Sequence, residues 1–146
     1  MTSTASRWGM SPRQSVLEEC ERRGRSSVVD DCVAILLDHR VNDDFLFVLA
    51  GPSATSVLEG REGGPGGYWP KVWAARGLLH VWDDRATKAI IDTTTDGSWR
   101  VREMSVKVVA RHGVLGAIDA VVALLEDENA RVRVAASRAF ARLALD

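Results

Sequence analysis

Three stretches decide the fold: WPKVWAARGLL at 69–79, WRVREMSVKVV at 99–109 and ARVRVAASRAF at 130–140. Aligned on Trp69, Trp99 and Ala130, they recur at offsets of 30 and 31 residues. Ala74 and Ala75 then match Met104 and Ser105, and Ala135 and Ala136. Leu78 and Leu79 match Val108 and Val109, and Ala139 and Phe140. Small or medium residues thus fall at i, i+1, i+4 and i+5, a spacing that lays one apolar face along a helix. Their small size lets a neighbouring helix approach closely.

A second helix follows each of the first two stretches, with Ala86, Ala89, Ile90 and Ile91 corresponding to Ala117, Ala120, Val121 and Val122. Short loops close the units at Asp96-Gly-Ser98 and Asp127-Glu-Asn129. Ser98 and Asn129 are expected N-caps, since their side-chain oxygens can accept orphan backbone N–H groups. Pro70 suits a first turn, where its missing N–H had no partner. A pair of helices in roughly 30 residues cannot bury its own apolar faces, so the units must stack on one another. The units expected are 69–96, 99–127 and a half unit at 130–145.

The strings at 99–104 and 130–136, each following an Asp, resemble HEAT repeats of the short, phycobilisome-lyase-like type. With YWP at 68–70 and ARGLLHVWDD at 75–84, the wider pattern is similar to small actinobacterial HEAT-repeat proteins of unknown role. The resemblance covers residues 69–146. It implies an all-α, right-handed α–α superhelix of stacked antiparallel helix pairs. It also implies a structural ladder of loop Asp and helix Arg residues, here Asp96 with Arg102 and Asp127 with Arg133. The first unit departs from that pattern, with Val72 at the Arg position and Gly66 at the Asp position.

The N-terminal half reads as more weakly patterned helices. Residues 1–10 form a polar tail without the apolar core of a signal peptide. Residues 11–59 form a degenerate helical cap. Ser11-Pro12-Arg13-Gln14 is a capping box, with Val16, Leu17 and Cys20 as the apolar face and Gly24 as the stop. Ser27 opens a helix whose stripe is Val28, Val29, Cys32, Val33, Leu36 and Leu37. Asn42-Asp43-Asp44 opens a third, carrying Phe45, Leu46, Val48 and Leu49. Gly51-Pro52 opens a fourth. Residues 60–68 are a Gly-rich connector, and the spacing of a phosphate-binding loop is absent.

The composition is that of a globular chain of one domain's length: 146 residues, 46% hydrophobic and 27% charged. Nineteen basic residues against twenty acidic ones leave a net charge of -1, so no global field draws the chain to nucleic acid or membrane. No apolar run reaches the length of a membrane span. Cys20 and Cys32 sit at apolar helical positions and read as buried thiols of a reducing compartment, which makes the cytoplasm the expected location. His39, His80 and His112 have no metal-ligand spacing, no catalytic motif occurs and no cofactor is implied, so the expectation is a non-enzyme. Asp83-Asp84 reads as a helix-start pair rather than an acid and base.

Five tryptophans stand against one tyrosine and three phenylalanines. Four of the five fall within 69–99, with Arg100, Arg102 and Lys107 nearby. The expected binding surface is Trp69, Trp73, Trp99, Arg100, Glu103 and Lys107; the competing reading makes the rings filler at unit junctions. The leading function is a scaffold that binds another protein. The alternative is a nucleic-acid-binding module like the HEAT-like alkylation glycosylases, using Trp73, Trp82, Asp83 and Arg102. A bilin-lyase role is suggested only by the name of the repeat type. The last helix lacks a following partner, so an apolar face with Val132 and Phe140 is expected to be open, and a homodimer through that helix is one way to cover it.

Overall fold

The first N–H groups of a helix find no acceptor inside it, and this chain meets the need with side chains at several starts. The computed structural model describes residues 9–61 and 67–145, and among these no strand occurs. The proposed tail, including Trp8, and most of the Gly-rich connector lie outside the described residues. Helix α1 (Pro12–Arg23) opens on the expected capping box: Gln14 N–H donates to Ser11 Oγ and Ser11 N–H to Gln14 Oε1, each at 3.1 Å. A single glycine, Gly24 at φ 93°, turns the chain into α2 (Arg25–Leu36). Helix α3 (Asp43–Ala50) is capped by Asn42, which accepts the Asp44 N–H at 2.9 Å. A 3₁₀ turn at Gly51–Ser53 leads to the short α4 (Ala54–Leu58).

Beyond the connector come α5 (Tyr68–Gly77), a 3₁₀ turn at Asp84–Ala86 and α6 (Thr87–Thr93). They are followed by α7 (Trp99–His112), a 3₁₀ turn at Leu115–Ala117, α8 (Ile118–Leu124) and α9 (Ala130–Ala144). Asn129 caps α9 as expected, accepting from Arg131 and Val132 N–H. The Ser98 side chain makes no such bond to α7; instead its own N–H donates to Asp96 Oδ2 at 2.9 Å. The Asn129 N–H likewise donates to Asp127 Oδ2, so the loop aspartates organise both turns. In α2 the stripe ends earlier than expected. Leu37 stands past the last turn and is exposed, and Ile35 takes the inner place.

The helices pack in two rows. Helices α5, α7 and α9 lie side by side in one row, with α2, α6 and α8 behind them, and α2 pairs with α5, α6 with α7, and α8 with α9. Helix α2 is therefore the first member of a unit whose second member is α5. The segment between them, carrying α3 and α4, is an insertion, and α1 and α3 pack over that end of the stack. Close approach is enforced at Gly77, where an added Cβ would stand 2.9 Å from Leu49 Cδ2 and 3.3 Å from Cys32 Sγ. Ser15 Oγ donates to Val48 O at 2.6 Å and joins α1 to α3.

Burial sets the true register. The first-row helices begin at Tyr68, Trp99 and Ala130, and buried residues recur in step: Pro70, Val101 and Val132, then Ala74, Ser105 and Ala136. Both offsets are thus 31, and the expected alignment of Trp69 with Trp99 slips by one residue. One residue turns a helix by about 100°, so the slip moves every side chain of α5 to another face. Tyr68, not Trp69, is the counterpart of Trp99. In the second row the steps are Val28, Ala86 and Ala117, then Cys32, Ile90 and Val121. Cys20 and Cys32 are free and buried, and burial pushes both thiols up.

Candidate functional site

The loops between the rows carry the expected ladder in a different wiring. Arg102 donates from Nη1 to the Asp96 carbonyl at 2.8 Å, while its Nε and Nη2 fork onto the Asp127 carboxylate at 3.0 and 3.1 Å. Arg133 repeats the first bond, donating to the Asp127 carbonyl at 2.7 Å. The pairs six residues apart are therefore joined through backbone, and the carboxylates bridge between units. The first unit keeps the pattern, contrary to the expectation from Val72 and Gly66. Lys71 holds the Arg position in the 31-residue register and lies 3.1 Å from both Asp38 and Asp96. Asp38, at the end of α2, is the missing Asp; the insertion separates it from its unit in sequence.

Electrostatics follow from this geometry. Burial raises the Asp127 carboxyl, but the Arg102 fork, the Asn129 N–H and Arg133 outweigh it, and the pKa falls below the usual value. Burial likewise disfavours the Lys71 ammonium, yet the two carboxylates beside it raise its pKa overall.

The outer face of the first row is the candidate site. Residues four and eight places on from each helix start, with the one next to it, point away from the second row. They form columns across the helices: Trp69, Arg100 and Arg131; Val72, Glu103 and Val134; Arg76, Lys107 and Arg138; at α5 Val72 is buried and Arg76 donates to the Leu49 carbonyl of α3 at 2.8 Å. At one end the rings and guanidinium groups interleave. Arg100 lies 5.5 Å from the Trp69 ring centroid and 4.5 Å from that of Trp99, and Arg131 covers Trp99 at 5.4 Å. Tyr68 joins the cluster, 5.7 Å from Arg100. Glu103 is nearly buried. It accepts from Arg131 Nε at 3.0 Å, with Lys107 Nζ at 3.6 Å, and so holds the Arg131 plane over the ring.

Between α7 and α9 these side chains border a groove of about 310 Å³, with Val134 and Ala135 on its wall and Lys107, Arg131 and Arg138 on its rim. A second cavity, about 210 Å³ beside Asp38, Arg40, Asp43 and Lys71, has charges of both signs, and the ladder already engages Lys71 and Asp38.

Five of the six residues expected at the surface gather here. Trp73 does not: it is 5% exposed, with its ring against Trp69 at 6.3 Å between centroids. In the 31-residue register it stands in line with Met104 and Ala135, on the inner side of the row. Arg131 and Arg138 were missed, although the 31-residue step from Arg100 and Lys107 would have found them.

The residues of the glycosylase-like alternative do not converge. Trp73 is in the core and Arg102 is engaged by the ladder. Trp82 stacks on His112 at 4.8 Å, about 15 Å along α7 from Arg102. His112 Nε2 pairs with the Leu78 carbonyl at 2.6 Å. Asp83 accepts the Arg85 N–H and caps a 3₁₀ turn, the structural role expected of it. Among the described residues no group of side chains is arranged to hold a metal ion.

Residues 117–146 match the family model of the HEAT repeat. The chain carries a HEAT repeat. The matched HEAT unit runs from α8 through α9, so α9 is the second helix of a complete pair rather than a half unit. Comparison with curated proteins and with solved structures gives no match, and the likeness to small actinobacterial proteins stays without support.

Proposed function

We propose that this HEAT-repeat chain is a non-enzymatic scaffold whose first-row face binds an acidic segment of another protein. The observation that carries the reading is local charge. Arg100, Lys107, Arg131 and Arg138 crowd one face with Glu103 as their acidic neighbour, in a chain whose net charge is -1. A helical-repeat surface binds extended partners without catalytic residues. Aromatic rings beside arginines supply rigid contact area at its end. The two buried thiols fit a reducing compartment such as the cytoplasm.

Nucleic acid is the second reading, favoured by the same cations beside Tyr68, Trp69 and Trp99. The overall pI of 6.3 weighs against it. The deciding experiment is a pull-down of the tagged chain from its own cells, with and without nuclease. The expected result is a nuclease-resistant partner, retained at moderate salt and lost from a Lys107→Glu/Arg138→Glu variant. Recovery of nucleic acid whose yield falls steeply with salt would favour the second reading instead.

A further inference from the structure

A guanidinium taken out of water needs a carboxylate, a ring or another anion to offset what it loses. Among the described residues the arginines that are buried or half-buried are Arg23, Arg76, Arg100 and Arg102. Arg23 rests on the carboxylates of Glu19 and Asp31, and Arg102 on that of Asp127. Arg100 lies over the rings of Tyr68, Trp69 and Trp99. Arg76 has no such partner among the described residues. Its Nη2 donates to the Leu49 carbonyl at 2.8 Å, and its other N–H groups stay open. Burial alone shifts its pKa, downward, as for a cation with no anion beside it. The carbonyls that end α3 supply a partial charge of about one half, which offsets only part of the guanidinium.

Arg76 lines a cavity of about 150 Å³ bounded by the start of α1, the turn after α3 and Trp73 of α5. None of the described side chains that line it is acidic. Two hydroxyls border it. Ser11 Oγ accepts the Gln14 N–H and keeps its own proton to donate. Ser53 is exposed on the turn. Ser15 Oγ, bonded to the Val48 carbonyl, and Arg76 together fix the α3 side of the wall. Nearby His80 senses the local field: burial lowers its pKa most, and Arg13, Arg76, Arg111 and His112 lower it further, with no carboxylate acting against them.

We propose that this cavity is a binding site for a phosphate group, separate from the groove between α7 and α9. Its donors come from α1, α5 and the turn after α3. They surround a point rather than lie in one plane, which suits a tetrahedral anion better than a flat carboxylate. Two guanidinium charges, Arg76 in the wall and Arg13 next to Pro12 of the wall, match the near-dianionic charge of a phosphate monoester. A water molecule occupies about 30 Å³ of liquid, so the cavity has room for a phosphate group and not for a whole nucleotide.

The test is a titration of the isotope-labelled full chain in chloride buffer at constant ionic strength, followed by backbone amide and arginine side-chain resonances. The probes are inorganic phosphate, an N-acetyl-phosphoserine amide and acetate. The expected result is saturable shifts at 11–15, 50–54 and the Arg76 side chain with either phosphate probe below about 10 mM. Tighter binding of the phosphoserine amide would name a phosphorylated side chain as the source, and tighter binding of inorganic phosphate the free ion. Arg76→Gln removes the cation, and Ser53→Asp sets a carboxylate at the cavity without touching Arg76. Each should weaken binding at least about tenfold, as expected for one charge-assisted hydrogen bond. Ser53→Asn should keep the binding, and so should Lys107→Glu/Arg138→Glu, which separates this site from the first-row groove. Acetate binding as tightly as phosphate, shifts confined to the Lys107 and Arg138 face, undiminished affinity in Arg76→Gln or Ser53→Asp, or no shifts at all overturns the proposal.

Discussion

At the scale of single residues, the Arg102–Asp127 pair dominates. Both side chains are about nine-tenths buried, and the fork satisfies the carboxylate together with the Asn129 N–H. Removing one partner leaves the other buried and uncompensated, a loss of about 3 kcal/mol. Arg102→Ala and Asp127→Ala are each expected to cost that much in urea unfolding, and the double variant little more than either. Lys71→Ala should cost about 1 kcal/mol, since Asp38 is 66% exposed and water screens half of the bridge. Equal losses for Lys71→Ala and Arg102→Ala would contradict this ranking. The histidines add a pH dependence. Burial lowers both, helped in His80 by Arg13, Arg76, Arg111 and His112, and in His112 by Arg111 against the Leu78 carbonyl bond. Their folded values lie below the unfolded value of about 6.5. Their stabilising share is therefore whole above that pH and is lost as pH falls through the folded values. Melting temperature should decline from pH 7.5 to 5, and less so in a His80→Gln/His112→Gln variant.

At the scale of elements, the helices were largely legible in the sequence and the register was not. The capping box at Ser11 and the Asn42 start both follow from local chemistry that a few residues carry. The one-residue slip in α5 arose because two tryptophans make a stronger visual match than Tyr68 and Trp99, while the buried positions that decide register are small residues of little individuality. The same slip hid Lys71 as a ladder residue and placed Trp73 on the surface. Asp38 was hidden for a different reason: the insertion parts α2 from α5 in sequence, and only packing reunites them. Gly77→Ala tests that reunion. In an ordinary helix interior it would gain somewhat less than 1 kcal/mol in propensity. Here the added methyl meets Leu49 and Cys32 at 2.9 and 3.3 Å, and overpacking of about 1–3 kcal/mol wins. The expected outcome is a lower unfolding midpoint; a stabilised variant would mean that α3 and α2 do not seat on α5 in solution.

At the scale of the whole molecule, composition concealed what arrangement reveals. Nineteen basic and twenty acidic residues look neutral in sum, yet repetition every 31 residues gathers arginine and lysine on the first-row face. No helix among the described residues is long and apolar enough to cross a membrane, and α8 and α9 carry the exposed apolar side chains Val122, Val134 and Phe140. The central claim is that partners are held on the first row. Hydrogen–deuterium exchange of the chain, alone and with the partner recovered by the nuclease-resistant pull-down, tests it most directly. The account predicts added protection across 99–111 and 130–142, the helices that border the groove. Protection confined to 87–93 and 118–124, with the first row unchanged, would contradict it.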